Sequence, residues 1–172
     1  MNNKYINEIS GFQTFQKWIG YADVKSLPTY FYVQRSSNFD TVGVPIPFQI
    51  AKVNTGGSMD LASGKFTAQT KGLYFFSFMG EAWIPPNTQW AQLGVALMLN
   101  GNQVGLGHVE GHANWKWQHT PLVIQATLDM KKGDQVWLQI KLISPSVVLV
   151  DSFNQHNHYT GMLLHEDIFP NL

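Results

Sequence analysis

The run GLYFFSFMGEAW at Gly72–Trp83 constrains this chain more than any other segment. Side chains alternate along a strand, so Tyr74, Phe76 and Phe78 fall on one face and Leu73, Phe75 and Met79 on the other. An antiparallel strand over a single core needs only one apolar face. This one is apolar on both, so something must cover its second side.

The rest of the chain tells what kind of fold carries it. From Tyr30 onward, turn signals arrive at short, fairly even intervals: NTGG at 54–57, Ser63-Gly64, Lys71-Gly72, Pro85-Pro86-Asn87, Asn100-Gly101, KKGD at 131–134 and Ser144-Pro145-Ser146. Runs rich in Val, Ile, Leu, Phe, Tyr and Thr lie between them, as in an all-β sandwich or barrel. Asn100-Gly101 is the strongest hairpin signal, because a type I′ turn needs two positive φ angles. No long helical pattern interrupts the strands, which argues against an α/β enzyme. The strands are unequal. Val136, Leu138, Ile140 and Leu142 share one face with Gln139 and Lys141 opposite, a strand with one side in water. Tyr30–Val33, Gly72–Trp83 and Tyr159–Leu164 are apolar or small on both faces. One sheet of the sandwich is therefore expected to be wet and the other buried twice, covered by the N-terminal arm or by another subunit.

Residues 1–29 stand apart. Ile6, Ile9, Phe12, Phe15 and Ile19 recur at a helical period, and Pro28 closes the segment. They read as an N-terminal arm or stalk remnant ahead of a domain at 30–172.

Bulk composition narrows the function. Eleven basic and eleven acidic residues cancel without forming runs, so a nucleic-acid or anionic-membrane surface is not expected. No apolar run approaches the ~20 residues of a membrane span. MNNKYINEIS lacks the apolar core of a signal peptide, as a cytosolic chain or a mature secreted fragment would. The chain has no cysteine, so disulfides, thiolate nucleophiles and cysteine-ligated zinc are excluded.

Several ordered motifs resemble the globular head domain of complement C1q and its relatives. NTGGSMDLASGKFTAQTKGLYFFSF at 54–78 is similar to that family's Asn-x-Gly…Asp…Gly-Lys-Phe-Thr…Gly-x-Tyr-x-Phe run. LDMKKGDQVWLQI at 128–140 is similar to its Gly-Asp-x-Val-Trp-Leu strand, and HYTGMLL at 158–164 to its closing Phe-x-Gly-x-Leu-Leu. Together these span roughly residues 30 to 166, with Tyr159 where the family usually has Phe. No Gly-X-Y repeat precedes them. The resemblance implies a ten-stranded jelly-roll sandwich of the C1q and tumour-necrosis-factor type, assembled as a homotrimer. It also implies a secreted protein that binds carbohydrate, microbial-surface or other extracellular ligands rather than transforming them. On that reading, neighbouring subunits cover the second apolar face. Some relatives bind calcium near the three-fold axis, but no clustered Asp-x-Asp loop assigns a site here. A structural or adhesive trimer without a small ligand is the alternative; a metal-dependent jelly-roll enzyme is a distant third.

Candidate site residues cluster in GLGHVEGHANWKWQH at 105–119. His108, Glu110 and His112 alternate, so on a strand they share a face and carry ligands suited to a divalent ion; the competing reading is a solvated strand edge. Trp115 and Trp117 share a face if extended, and Trp83 and Trp90 flank Pro85-Pro86. Loop aromatics offer stacking surfaces and indole N–H donors, against the competing reading that they simply pack. With His112, these four tryptophans form the expected ligand site. His156-Asn157-His158 followed by Glu166 resembles the cupin metal motif, but seven residues separate His158 from Glu166, too many for it. Gly105-x-Gly107 resembles part of a phosphate loop yet opens no helix. Asp60 is expected to cap a turn. No nucleophile elbow or Ser/His/Asp set stands out, and no catalytic residue is expected.

Overall fold

The computed structural model describes residues 25–151 and 155–167; most of the 1–29 segment lies outside them. Eleven strands run in order: β1 Tyr30–Gln34, β2 Ile50–Thr55, β3 Met59–Asp60, β4 Lys65–Thr67, β5 Gly72–Ile84, β6 Thr88–Leu99, β7 Asn102–Ala113, β8 Gln118–Met130, β9 Gln135–Ile143, β10 Val148–Leu149 and β11 His158–Glu166. β3 and β10 are two-residue segments, and no helix occurs among the described residues. The strands make two antiparallel sheets. In one, β5 pairs with β8 on one edge and with β11 and β10 on the other, and β1 and β2 follow outward from β11. The other sheet runs β3-β4-β9-β6-β7.

The run that opened the question forms β5, hydrogen-bonded along both edges. Its inward face carries Tyr74, Phe76, Phe78, Ala82 and Ile84, all buried. Phe66 of β4 faces this row from the opposite sheet, 5.5 Å from the Tyr74 ring and 5.3 Å from Phe76, and Tyr159 packs edge-on to Phe31 at 4.9 Å. The outward face is open: Leu73 and Met79 remain 38% and 42% exposed. Tyr30, Met162 and Phe75 align across it by register, as do Met79 and Val123. The second apolar face is therefore not covered by the described residues of the chain itself.

β9 follows its expected alternation only in part. Val136, Leu138 and Ile140 are buried. A bulge opposite Gly94 and Val95 then shifts the register, so Leu142 pairs with Gly94 and lies against it, leaving the core face. Gln139 is also buried, because the 42–46 segment adds bridges to β9 and Trp137 Nε1–H donates to Gln139 Oε1 at 3.0 Å. The Asn100-Gly101 turn is as expected, with φ of 50° and 88° and no residue between it and either strand.

Gly105-x-Gly107 has a packing role. These glycines sit where β7, an edge of one sheet, crosses the inward residues of β8, an edge of the other. A Cβ at Gly107 would lie 2.6 Å from Ile124 Cγ1 and 3.2 Å from the Val123 carbonyl oxygen; one at Gly105 would meet Ile124 Cγ2 at 3.4 Å, ordinary contact. Missing side chains let the sandwich close on this flank.

A buried polar network fixes the connection into β11. Asn157, fully buried, accepts from Glu81 N–H at 3.2 Å, and its amide donates to the Val150 carbonyl at 2.5 Å and to Asp151 Oδ2 at 3.3 Å. Arg35 lies behind it, its guanidinium donating to the carbonyls of Pro47, Ser37 and Asn38 and resting 4.8 Å over the Phe39 ring. Burial lowers its pKa, and the Asp151 charge opposes that.

The poles of the sandwich differ. β1 begins beside the end of β11, where Ser26 N–H donates to Glu166 at 2.6 Å and Lys71 pairs with Asp167 at 2.5 Å. The Pro85-Pro86 and 114–117 loops meet at the opposite pole, where Asn87 N–H donates to the Asn114 carbonyl at 2.6 Å.

Two stability predictions follow from this packing. Gly107→Ala should destabilise by about 1–3 kcal/mol through overpacking, while Gly105→Ala stays near neutral in urea unfolding; equal losses would mean the flank is not tight. The Tyr159 hydroxyl is buried without a partner, and burial pushes its phenol well above the usual value. Tyr159→Phe should therefore raise stability by about 1 kcal/mol or more, and a lower melting temperature would reveal a hidden partner for that oxygen.

Candidate functional site

Two clusters hold the expected residues. One lies on the outward face of the β6–β7 edge. His108, Glu110 and His112 alternate on β7 and all point to solvent, as the spacing predicts. Gln92 of β6 stands opposite Glu110, and His108 Nε2 lies 3.2 Å from Gln92 Oε1 and 3.8 Å from Glu110 Oε1. Among the described residues, no group of three or more His, Asp or Glu is placed to hold a metal ion. Trp90, 56% exposed, sits in the β6 bulge between the pairs Thr88–Ala113 and Ala91–Gly111, across from His112. Past Ala113 the chain leaves the strand, and Trp115 stands 86% exposed in the loop. Asn87, Thr88, Gln89, His112, Asn114 and Trp115 line a shallow depression of about 590 Å³ there.

The other cluster lies on the outward face of the β5 sheet. Trp117, at the end of the loop, packs against Trp83 with ring centroids 4.5 Å apart and planes tilted by 34°. Residues 114–116 are bends, not strand, so the alternation that would put Trp115 and Trp117 on one face does not apply. Both rings nevertheless line one shallow depression of about 560 Å³, together with His112 and His119. His119 of β8 pairs with Trp83 by register and packs 5.4 Å from its ring. Its Nδ1 lies 2.9 Å from Glu81 Oε1, and His156 Nδ1 lies 2.8 Å from Glu81 Oε2. The His119 contact is an aligned hydrogen bond; the His156 contact is an ion-pair approach without that alignment. A single carboxylate is thus held between two imidazoles from different elements. The Trp83 indole N–H is buried with no partner.

The remaining motifs resolve structurally. In His156-Asn157-His158, Asn157 is the buried bracket described above, and His158 packs edge-on to Tyr32 at 5.7 Å. Glu166 is at the far end of β11, bonded to Ser26, so no cupin-type set forms. Asp60 caps its turn, accepting from Ser63 Oγ at 2.6 Å and Ala62 N–H at 3.1 Å; the Ser63 bond is the main reason its pKa is lowered. Glu81 was missed by sequence reasoning, although it is the one charged residue in the Gly72–Trp83 run.

The family model for the C1q domain matches residues 30–164. The chain belongs to the C1q domain family. Complement C1q tumor necrosis factor-related protein 2 of Mus musculus is 26% identical over 137 residues, covering 80% of this chain and 43% of that protein. Protein HP-25 homolog 1 of Bos taurus is 32% identical over 112 residues, covering 65% of this chain and 48% of that protein. The chain spans under half the length of these curated relatives. The solved globular domain of zebrafish complement 1qA protein overlays with a TM-score of 0.61 at 18% identity, covering 81% of this chain and 99% of that domain, a likeness of fold. The matched range starts at the first residue of β1 and ends within β11, so the C1q domain is the sandwich itself.

The tryptophans of this C1q domain should separate by substitution. Trp117→Ala removes the ring packed against Trp83 and should lower stability by about 1 kcal/mol or more. Trp115→Ala should leave the melting temperature unchanged. Equal effects would mean that both rings pack, or that neither does.

Proposed function

We propose that this C1q domain is a secreted, homotrimeric recognition module that binds an extracellular ligand, with carbohydrate the favoured class. The observation that carries the assembly is the open apolar face of the β5 sheet, where Tyr30, Leu73, Met79, Val123, Met162 and Leu164 are each more than a third exposed. Contiguous apolar patches of this kind mark interaction sites, and closed cyclic symmetry covers one such patch on every subunit. Each contact then removes at least roughly 800 Å² per partner.

Assembly through that face splits the expected ligand set. Trp83 and Trp117 border the subunit contact, whereas Trp90, His112 and Trp115 stay outward. Recognition is therefore assigned to Trp115 with His112 and Trp90. An indole face stacks on the C–H face of a sugar ring, and the amides of Asn87 and Gln89 beside it suit hydroxyl groups. The chain carries no net charge, so stacking and neutral hydrogen bonds are the binding forces it can offer. Binding rather than catalysis is the role this surface supports.

Light scattering should give about three times the 19.4 kDa chain mass, and Val123→Asp should reduce it to one chain; a monomeric parent protein would end the trimer reading. On a glycan array, the parent should bind and Trp115→Ala should lose about 2 kcal/mol, roughly thirtyfold in affinity, with the trimer intact. A trimer silent on glycans would favour a structural or adhesive role.

A further inference from the structure

Beside its apolar residues, the β5 face carries a cluster of one carboxylate and two imidazoles. Glu81, whose side chain is 16% exposed, holds His119 at 2.9 Å and His156 at 2.8 Å, one imidazole on each oxygen. In the single chain both histidines reach water, at 48% and 38% side-chain exposure. Glu81, His119 and Trp83 project from the same face as Met79 and Val123, because they share the β5 alternation or its β8 register.

We propose that this Glu81–His119–His156 cluster makes self-association through the β5 face weaken on acidification. The proposal rests on the trimer reading above. One carboxylate neutralises one imidazolium. With both rings protonated, each chain presents an unbalanced positive charge on the face that another copy must cover. Covering it strips water from that charge, and rotational symmetry places equivalent charges on every subunit contact. The separated chains therefore bind more protons than the assembly, and linkage then requires assembly to strengthen as pH rises and weaken as it falls. Histidine titrates in the interval from about pH 8 to about pH 5.

Other charged groups near the cluster do not supply the missing balance. Asp151 lies behind it, but its carboxylate accepts from the Gln155 and Asn157 N–H groups and the Asn157 amide, and faces Arg35. The Arg35 guanidinium is directed into the Pro47, Ser37 and Asn38 carbonyls. His158 follows on β11, opposite Met79, and Lys116 precedes Trp117 in the loop; both can only add positive charge. Glu81 is the single carboxylate facing both imidazoles.

Sedimentation velocity on the full chain, from about pH 8 to about pH 5, tests this. The parent should be trimeric at the upper end, with its dissociation constant rising at least about tenfold across the interval. His119→Gln with His156→Gln keeps a side-chain donor for Glu81 and leaves His158 as the one histidine beside the cluster, so it should dissociate at a clearly lower pH than the parent. Glu81→Gln leaves two imidazoles without a counter-charge and should dissociate at higher pH than the parent. Circular dichroism at each pH confirms that the dissociated chains stay folded; unfolding at the acid end would overturn the proposal. A parent trimer with no pH dependence overturns it and leaves the trimer reading standing. So does acid dissociation that the double variant shares at the same pH. A parent monomeric even at the upper end overturns the trimer reading, and this inference with it.

Discussion

Hydrogen bonding along both edges of β5 is the constraint on which the rest of the structure depends. All thirteen residues of β5 pair with β8 on one side, and ten of them pair with β11 or β10 on the other. A strand placed in mid-sheet cannot use its edges for anything else, so its two faces decide what packs where. The inward face meets Phe66 and the opposite sheet and becomes the core. The outward face has no counterpart within the described chain, and its apolar residues stay at the surface. The same strand thus ties the chain internally and leaves it open to association.

Much of this was legible in the residues. The period-two pattern and the even spacing of turns gave an all-β sandwich, Asn100-Gly101 marked a two-residue hairpin, and the ordered motifs from Asn54 to Leu164 pointed to the C1q domain. What failed did so for a local reason. Leu142 kept its place in the alternation but lost the core face, because a bulge inserts one residue, and a one-residue slip reverses every side chain beyond it. Sequence pattern does not mark where a bulge falls. Gly105-x-Gly107 read as a fragment of a phosphate loop because glycine spacing carries no information about what lies opposite. Only the approach of β8 shows why those two positions lack side chains.

The site was less legible than the fold, since its residues come together from distant stretches. Trp115 and Trp117 are two positions apart, but the bends at 114–116 break the alternation: Trp117 packs against Trp83 while Trp115 stands exposed, and the two rings line one depression with His112 and His119. Glu81 and His156 are 2.8 Å apart in space and separated in the chain by five strands, β6 to β10. The one available signal for Glu81 was its isolation as a charge in an apolar run. Its partners could not be named without the register of β5 against β8 and the bracket that Asn157 places under the β11 connection.

The side-by-side placement of the start of β1 and the end of β11 has a mechanical consequence. A tension applied between segments attached before Ser26 and after Asp167 would enter at one pole and act on a pair of antiparallel neighbours. The Ser26–Glu166 and Thr29–Leu163 bonds would carry the load first, then the Tyr30–Met162 and Phe31–Gly161 rungs, one after another. Peeling of this kind yields at lower force than shearing a whole strand, in which all rungs resist together. The pole bearing Trp115 would feel none of that load until β1 had come away.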